Sequence, residues 1–262
     1  MGRGEGGRVN GAVGIAAGAK TEYHERSVIS PVQQGELGAG KFILYLFDID
    51  GTLLRARGSG ARAFDAVLAA QHGIADACRG MRFGGKTDPW LLDEVLIARR
   101  GRAATASERE AFLSAYIPRL GVELAQRGVE VLPGATEALR YLTALSNVRL
   151  GVATGNVRAG ADLKLQCAQL EGWFGFGGYG CDSPRRAELV ARAIERGRRD
   201  DEVREVVVVG DTVHDIAAAR ACGAVACAVT TGADGADGLD AADVVWASLR
   251  ELPAWHATRF DS

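Results

Sequence analysis

Apolar residues along this chain follow two periods. Short runs rich in them, Phe42 to Phe47, Val148 to Ala153 and Glu205 to Val209, are too brief for helices and end in polar turns. They predict buried strands of a parallel sheet covered on both faces. Ala224 to Val229 and Asp243 to Trp246 predict two further short strands. Between these runs the spacing changes to three and four. Ala138, Leu139, Leu142 and Leu145 mark one helix face, and Leu189, Val190, Ala193 and Ile194 another. A helix is also expected over Ala159 to Leu170. Strands alternating with helices imply an α/β fold, a doubly wound, Rossmann-like parallel-sheet core. The glycine and aromatic stretch Trp173 to Gly180 predicts irregular packing at the core's edge.

One segment breaks the alternation. After a polar linker, Arg55 to Gly60, residues Phe64, Val67, Leu68 and Gln71 mark a short helix. Asp88-Pro89 predicts an N-cap with proline at the first helical position, and Leu92, Val95 and Leu96 continue that face. Ser107 to Glu110 has the spacing of a capping box, followed by the stripe Phe112, Leu113, Tyr116, Ile117 and Leu120. Pro118 is expected to kink or end that helix. Residues 58–129 are thus an all-helical insert in a core formed by 41–57 and 130–255. Residues 256–262 are a C-terminal tail. Residues 1–40 hold ten glycines and few large apolar side chains, so they bury too little to offset their ordering entropy and are expected to be a flexible extension.

Composition narrows the function classes. The 262 residues are 47% hydrophobic and 24% charged, an ordinary globular balance. A net charge of −2 implies no nucleic-acid or anionic-membrane partner. No apolar run is long enough to span a bilayer, and the N-terminus lacks a hydrophobic signal core. Five cysteines show no metal-ligand cadence with the four histidines and suggest reduced, cytoplasmic thiols.

The chemistry concentrates where strands end. Phe42 to Phe47 runs into Asp48-Ile49-Asp50-Gly51-Thr52, two carboxylates two residues apart, which repel unless a cation sits beside them. Val148 to Ala153 ends in Thr154-Gly155-Asn156, a hydroxyl and free N–H groups suited to a phosphate. Glu205 to Val209 ends in Gly210-Asp211-Thr212-Val213-His214-Asp215. Its two acids lie one helical turn apart and share a face if a helix begins there. Two motifs are set aside. Gly80 to Thr87 satisfies the written P-loop pattern, but no buried strand precedes it. Gly232 to Gly238 looks like a fragment of a calcium loop but lacks the closing glutamate.

Asp48-Ile-Asp-Gly-Thr-Leu53 resembles the first signature of the haloacid dehalogenase superfamily, mostly phosphatases. Thr154-Gly-Asn resembles the second and Gly210 to Asp215 the fourth. The third, usually a lysine, must be an arginine here, Arg185 or Arg186. The run Arg186-Ala-Glu-Leu-Val favours Arg186. The resemblance implies that the helical insert is a cap closing over the active site. It implies a nucleophile, Asp48, and a general acid and base, Asp50. Thr154, Gly155, Asn156 and Arg186 would bind phosphate. Mg²⁺ would be held by Asp48, Asp50, Asp211 and Asp215, and the substrate would be a small phosphorylated metabolite. His214 points aside in this reading, and Lys86 or Thr87 of the cap could touch substrate. Asp50 favours phosphate ester hydrolysis over dehalogenation. A phosphosugar mutase and a non-catalytic phosphometabolite-binding protein share the same signatures.

Overall fold

A computed structural model describes residues 42–199, 201–232 and 234–261. The expected N-terminal extension, residues 1–40, lies outside the described residues. Strand β1 (Phe42–Phe47) leads to a short β2 (Leu54–Arg55) and three helices, α1 (Ser59–His72), α2 (Asp88–Arg100) and α3 (Ala106–Arg127). The insert closes at β3 (Glu130–Val131), which pairs antiparallel with β2. Arg55, the first residue of the expected linker, therefore lies in a two-stranded ribbon. The remainder alternates: α4 (Ala135–Thr143), β4 (Val148–Ala153), α5 (Arg158–Cys167), β5 (Phe176–Gly178), α6 (Arg186–Arg198), β6 (Val203–Gly210), α7 (Val213–Ala221), β7 (Val225–Val229), β8 (Val244–Trp246) and α8 (Leu252–Phe260).

Six of these strands form one parallel sheet in the order β5-β4-β1-β6-β7-β8. The chain leaves β1 for β4 and β5 on one side, then returns to β6, β7 and β8 on the other. That reversal opens a crevice at the carboxyl ends of β1, β4 and β6, where ligands bind in such sheets. The period of two along β1 divides the core between the two faces. Ile43, Tyr45 and Phe47 join Leu139, Leu142, Leu165 and Leu252 in one buried cluster. Leu46 joins Leu189, Val190, Ile216 and Ala219 in the other. Each fully buried leucine stabilises by roughly 1.5–3 kcal/mol relative to exposure. Residues 256–260 belong to α8, whose His256 Nδ1 shares a 2.7 Å hydrogen bond with the buried Tyr45 hydroxyl. Burial lowers the His256 pKa and raises that of Tyr45, which keeps both neutral for that bond.

The insert has its own aromatic centre. Phe64 of α1 packs against Phe112 and Tyr116 of α3, with ring centroids 4.7 and 4.8 Å apart. Glu123 of α3 accepts from Arg62 of α1 at 3.1 Å and from Arg119 at 2.6 Å, tying the two helices together. Gln71 is exposed and donates to the Ala111 carbonyl rather than joining the apolar face.

Several local expectations shift. Thr87, not Asp88, caps α2, and Thr105 with Glu108 forms the capping box of α3, two residues before the predicted one. Helix α3 runs on through Pro118. Pro118 and Ser114 are both exposed, so the carbonyl that loses its N–H partner lies on the solvent face of the helix. Phe176–Gly178, expected to be irregular, is an edge strand beside β4. Ser183 accepts from the Arg185 N–H near the start of α6, whereas Asp182 pairs with Arg196.

Candidate active site

Asp48 follows β1 directly, its backbone N–H bonded to the Val209 carbonyl of β6 at 2.9 Å. The chain then turns at Gly51, whose φ of 88° favours glycine. A Cβ there would overlap the Asp211 carboxylate, so the turn also admits that acid to the site. Thr52 donates to Asp211 Oδ1 at 3.3 Å. Asp211 precedes α7 rather than lying on it, and Asp215 is the third residue of that helix. Asp215 closes a capping box, its Oδ2 accepting from the Thr212 backbone N–H at 3.1 Å, and also accepts from the Thr212 hydroxyl at 2.6 Å. Ligand atoms of Asp48, Asp211 and Asp215 all lie within 4.8 Å of one another, and all three residues are buried. Three hard oxygen donors so close suit a divalent cation such as Mg²⁺.

Arg186, the first residue of α6, balances part of this charge. Its Nη2 lies 2.7 Å from Asp48 Oδ1 and 2.5 Å from Asp215 Oδ1, and donates to the Ala153 carbonyl at 3.2 Å. Burial opposes the Arg186 charge, but Asp215 and Asp48 outweigh it and raise its pKa. Its Nε is buried without a hydrogen-bond partner, a donor left over for an anion. Arg185 is exposed and pairs with Glu188 on its own helix. Burial pushes the Asp48 pKa up to about 6 against the pull of Arg186.

The loop after β4 forms the crevice's second wall. Thr154 Oγ1 accepts from both the Asn156 backbone N–H, at 3.3 Å, and its side-chain Nδ2, at 2.8 Å. That Nδ2 also donates to Asp50 Oδ2 at 2.8 Å. Asn156 thus works through its side chain, and its amide, expected to face phosphate, is directed at Thr154. The cap rests on this loop. Asp88 donates its N–H to the Gly155 carbonyl at 2.9 Å and accepts from Val157 N–H at 2.8 Å. A Cβ on Gly155 would overlap the Lys86 carbonyl, so the close approach requires glycine. The P-loop-like stretch is therefore a cap loop. Lys86 pairs with Glu94 at 2.6 Å, and Thr87 is buried as a helix cap. His214 packs edge-on against Trp90 of α2, ring centroids 5.8 Å apart. Residues 236–238 form a single 3₁₀ turn, and Asp234 accepts from the Val213 N–H at the start of α7.

Floor and roof enclose a cavity of about 310 Å³. Asp48, Asp50 and Arg186 line it from the core, and Phe83, Leu91 and Tyr116 from the cap. The family model for haloacid dehalogenase-like hydrolases matches residues 44–223. The chain belongs to this family. Among solved structures, a protein assigned as a haloacid dehalogenase-like hydrolase, from Bacteroides fragilis, is 25% identical. The match covers 81% of this chain and 100% of that one, with a TM-score of 0.62. A hydrolase from Pseudomonas syringae is 23% identical over 85% and 100% of the two chains, with a TM-score of 0.66. CbbY from Rhodobacter sphaeroides, solved with phosphate, is 16% identical over 80% and 95%, with a TM-score of 0.61. A search among curated proteins gave no match. Among the described residues no helix is long and apolar enough to cross a membrane.

The superfamily signatures did not point to every group in this cavity. Lys164 of α5 lies 2.5 Å from Asp50 Oδ2, and its signal was a lysine on a helix face otherwise occupied by Gly160, Ala161 and Leu165. Asp88 looked like a cap, yet burial pushes its pKa up to about 6 while Lys164 holds it down. Tyr116 looked like core, and its ring does pack there, but it also lines the cavity.

Proposed function

We propose that the protein is a Mg²⁺-dependent phosphatase that hydrolyses a small phosphate monoester through an aspartyl-phosphate on Asp48. The observation that carries this reading is the buried set Asp48, Asp211, Asp215 and Arg186, of which Asp48 and Arg186 line the cavity, with Asp50 two residues from Asp48. Asp48 would attack phosphorus as the bond to the leaving oxygen breaks. Asp50 would give that oxygen a proton, then take one from the water that displaces Asp48 and frees phosphate. Thr154, the Gly155 amide and Arg186 would hold the equatorial oxygens. The Asp48 and Asp211 carboxylates and the Asp50 main-chain carbonyl would hold the cation, with Asp215 in support. Bound Mg²⁺ offsets the repulsion between a carboxylate nucleophile and a phosphate dianion. Cap residues Phe83, Leu91 and Tyr116 line the cavity over these groups and would limit the access of water.

The cavity volume suits a small phosphorylated metabolite, since pockets for drug-sized ligands start near 300 Å³. The test is phosphate release from a panel of small monoesters, with Mg²⁺ or EDTA, by wild type and Asp48→Asn. Release that requires Mg²⁺ and disappears in Asp48→Asn is the expected result. Folded, metal-loaded protein that releases phosphate from no ester would overturn the reading.

A further inference from the structure

The cavity contains a cation that the reaction above leaves unused. Lys164 is 5% exposed. A buried ammonium is costly unless it is paired and hydrogen-bonded. Only four of the 31 basic residues in this chain are lysines. The partners of Lys164 are specific. Its Nζ lies 2.5 Å from Asp50 Oδ2 and donates to Asn156 Oδ1 at 2.7 Å. Asn156 Nδ2 donates to the same Asp50 Oδ2 at 2.8 Å. The three side chains thus close a ring in which each touches the other two. Helical side chains lean toward the helix N-terminus, and α5 begins just past the loop that ends β4. Lys164 therefore reaches back to the strand ends without leaving its helix. Asp88, on the cap side, is the second acid whose charge reaches it.

Both donors fall on one oxygen of Asp50. We propose that Lys164 is a positioning residue for the phosphatase reaction: with Asn156 it fixes Asp50 Oδ2, so that Oδ1 is the atom presented to the leaving oxygen and later to water. This rests on the phosphatase reading. It differs from a role in which Lys164 itself holds substrate, because its short contacts are to Asp50 and Asn156. A compact ammonium with three donors can serve both acceptors at once.

Lys164→Met keeps the side chain's length and removes its donors. With an alkyl phosphate, kcat falls by about 100-fold while KM stays within about threefold, because a misaimed acid affects the transition state and not binding. With p-nitrophenyl phosphate the leaving group departs without a proton. The first turnover then stays within about threefold of wild type, and nitrophenol appears as a burst, because only the water step still needs Asp50. In an Asp50→Asn background the same substitution costs nothing further, as expected of residues that act as a unit. Thermal melting of each variant checks that it is folded. A raised KM with kcat kept would make Lys164 a substrate contact. Equal losses on both esters, or a full further loss in Asp50→Asn, would make it a packing residue. Either result overturns the proposal while the phosphatase reading stands. Wild type that releases no phosphate from any ester removes that reading and the proposal with it.

Discussion

Two cations serve one crevice under opposite conditions. Arg186 and its acids Asp48 and Asp215 are sealed, with side chains 6%, 7% and 3% exposed. Lys164 is equally sealed at 6%, but its partner Asp50 is 41% exposed and opens into the cavity. Burying every member of an ion cluster makes each depend on the others, because an unpaired buried charge costs several kcal/mol. Leaving one member open lets water or substrate take over from the missing partner. In the proposed reaction that division is useful. Asp48 stays fixed as nucleophile, whereas Asp50 must meet both an alcohol and a water.

The largest effect follows from breaking the sealed cluster. Arg186→Met takes the guanidinium partner from the buried Asp48 and Asp215, and should lower stability of the metal-free protein by about 3–5 kcal/mol. Chemical denaturation in EDTA measures this, and saturating Mg²⁺ should restore part of the loss by binding only the folded state. A variant as stable as wild type without metal would show that water already reaches these acids.

The two halves of the crevice were also unequally legible. The sealed half sits at the ends of β1 and β6, whose apolar runs announce buried strands and whose next residues are acids. The sequence narrowed the basic residue to Arg185 or Arg186, with the run Arg186-Ala-Glu-Leu-Val favouring Arg186. On the open half, the bond between Lys164 and Asp50 spans 114 positions, and no local pattern encodes it. The cap of α2 was decided 69 positions away: the Asp88 carboxylate is taken by Val157, and Thr87 caps the helix instead. Strand β5 escaped notice for another reason. Its Gly177 and Gly178 have no side chains to show a period, and they are needed because a Cβ on either would overlap Val152 or the Leu189 carbonyl.

A smaller effect tests Asp88, which joins the halves by tying the cap to the β4 loop. Burial raises its pKa to about 6, although Lys164 and the Val157 N–H both favour its charge. In the unfolded chain an aspartate titrates near 4, so between about pH 4 and 6 the folded protein holds the extra proton. Stability from this group therefore falls as pH rises through that window, and the full cost persists above it. Asp88→Asn keeps an oxygen for Val157 N–H and removes the charge. Relative to wild type it should gain about 1–3 kcal/mol between pH 4 and 7 in EDTA. Urea midpoints at each pH give the slope, and parallel curves would mean that Asp88 is not desolvated in solution.

Lys164→Met gives the smallest effect on stability, and it sharpens the contrast most. The Asp50 carboxylate that it abandons can hydrate through the cavity, and methionine suits a site beside Ala161 and Leu165. Stability should stay within about 1 kcal/mol of wild type, the range for pairs with one member in water. A loss as large as that of Arg186→Met would mean that Asp50 is as enclosed as Asp48, and the open and sealed halves would be one buried network. A small loss, with the kinetic loss predicted for the same variant, separates the two cations by what each does: Arg186 holds the fold of the site together, and Lys164 aims one oxygen.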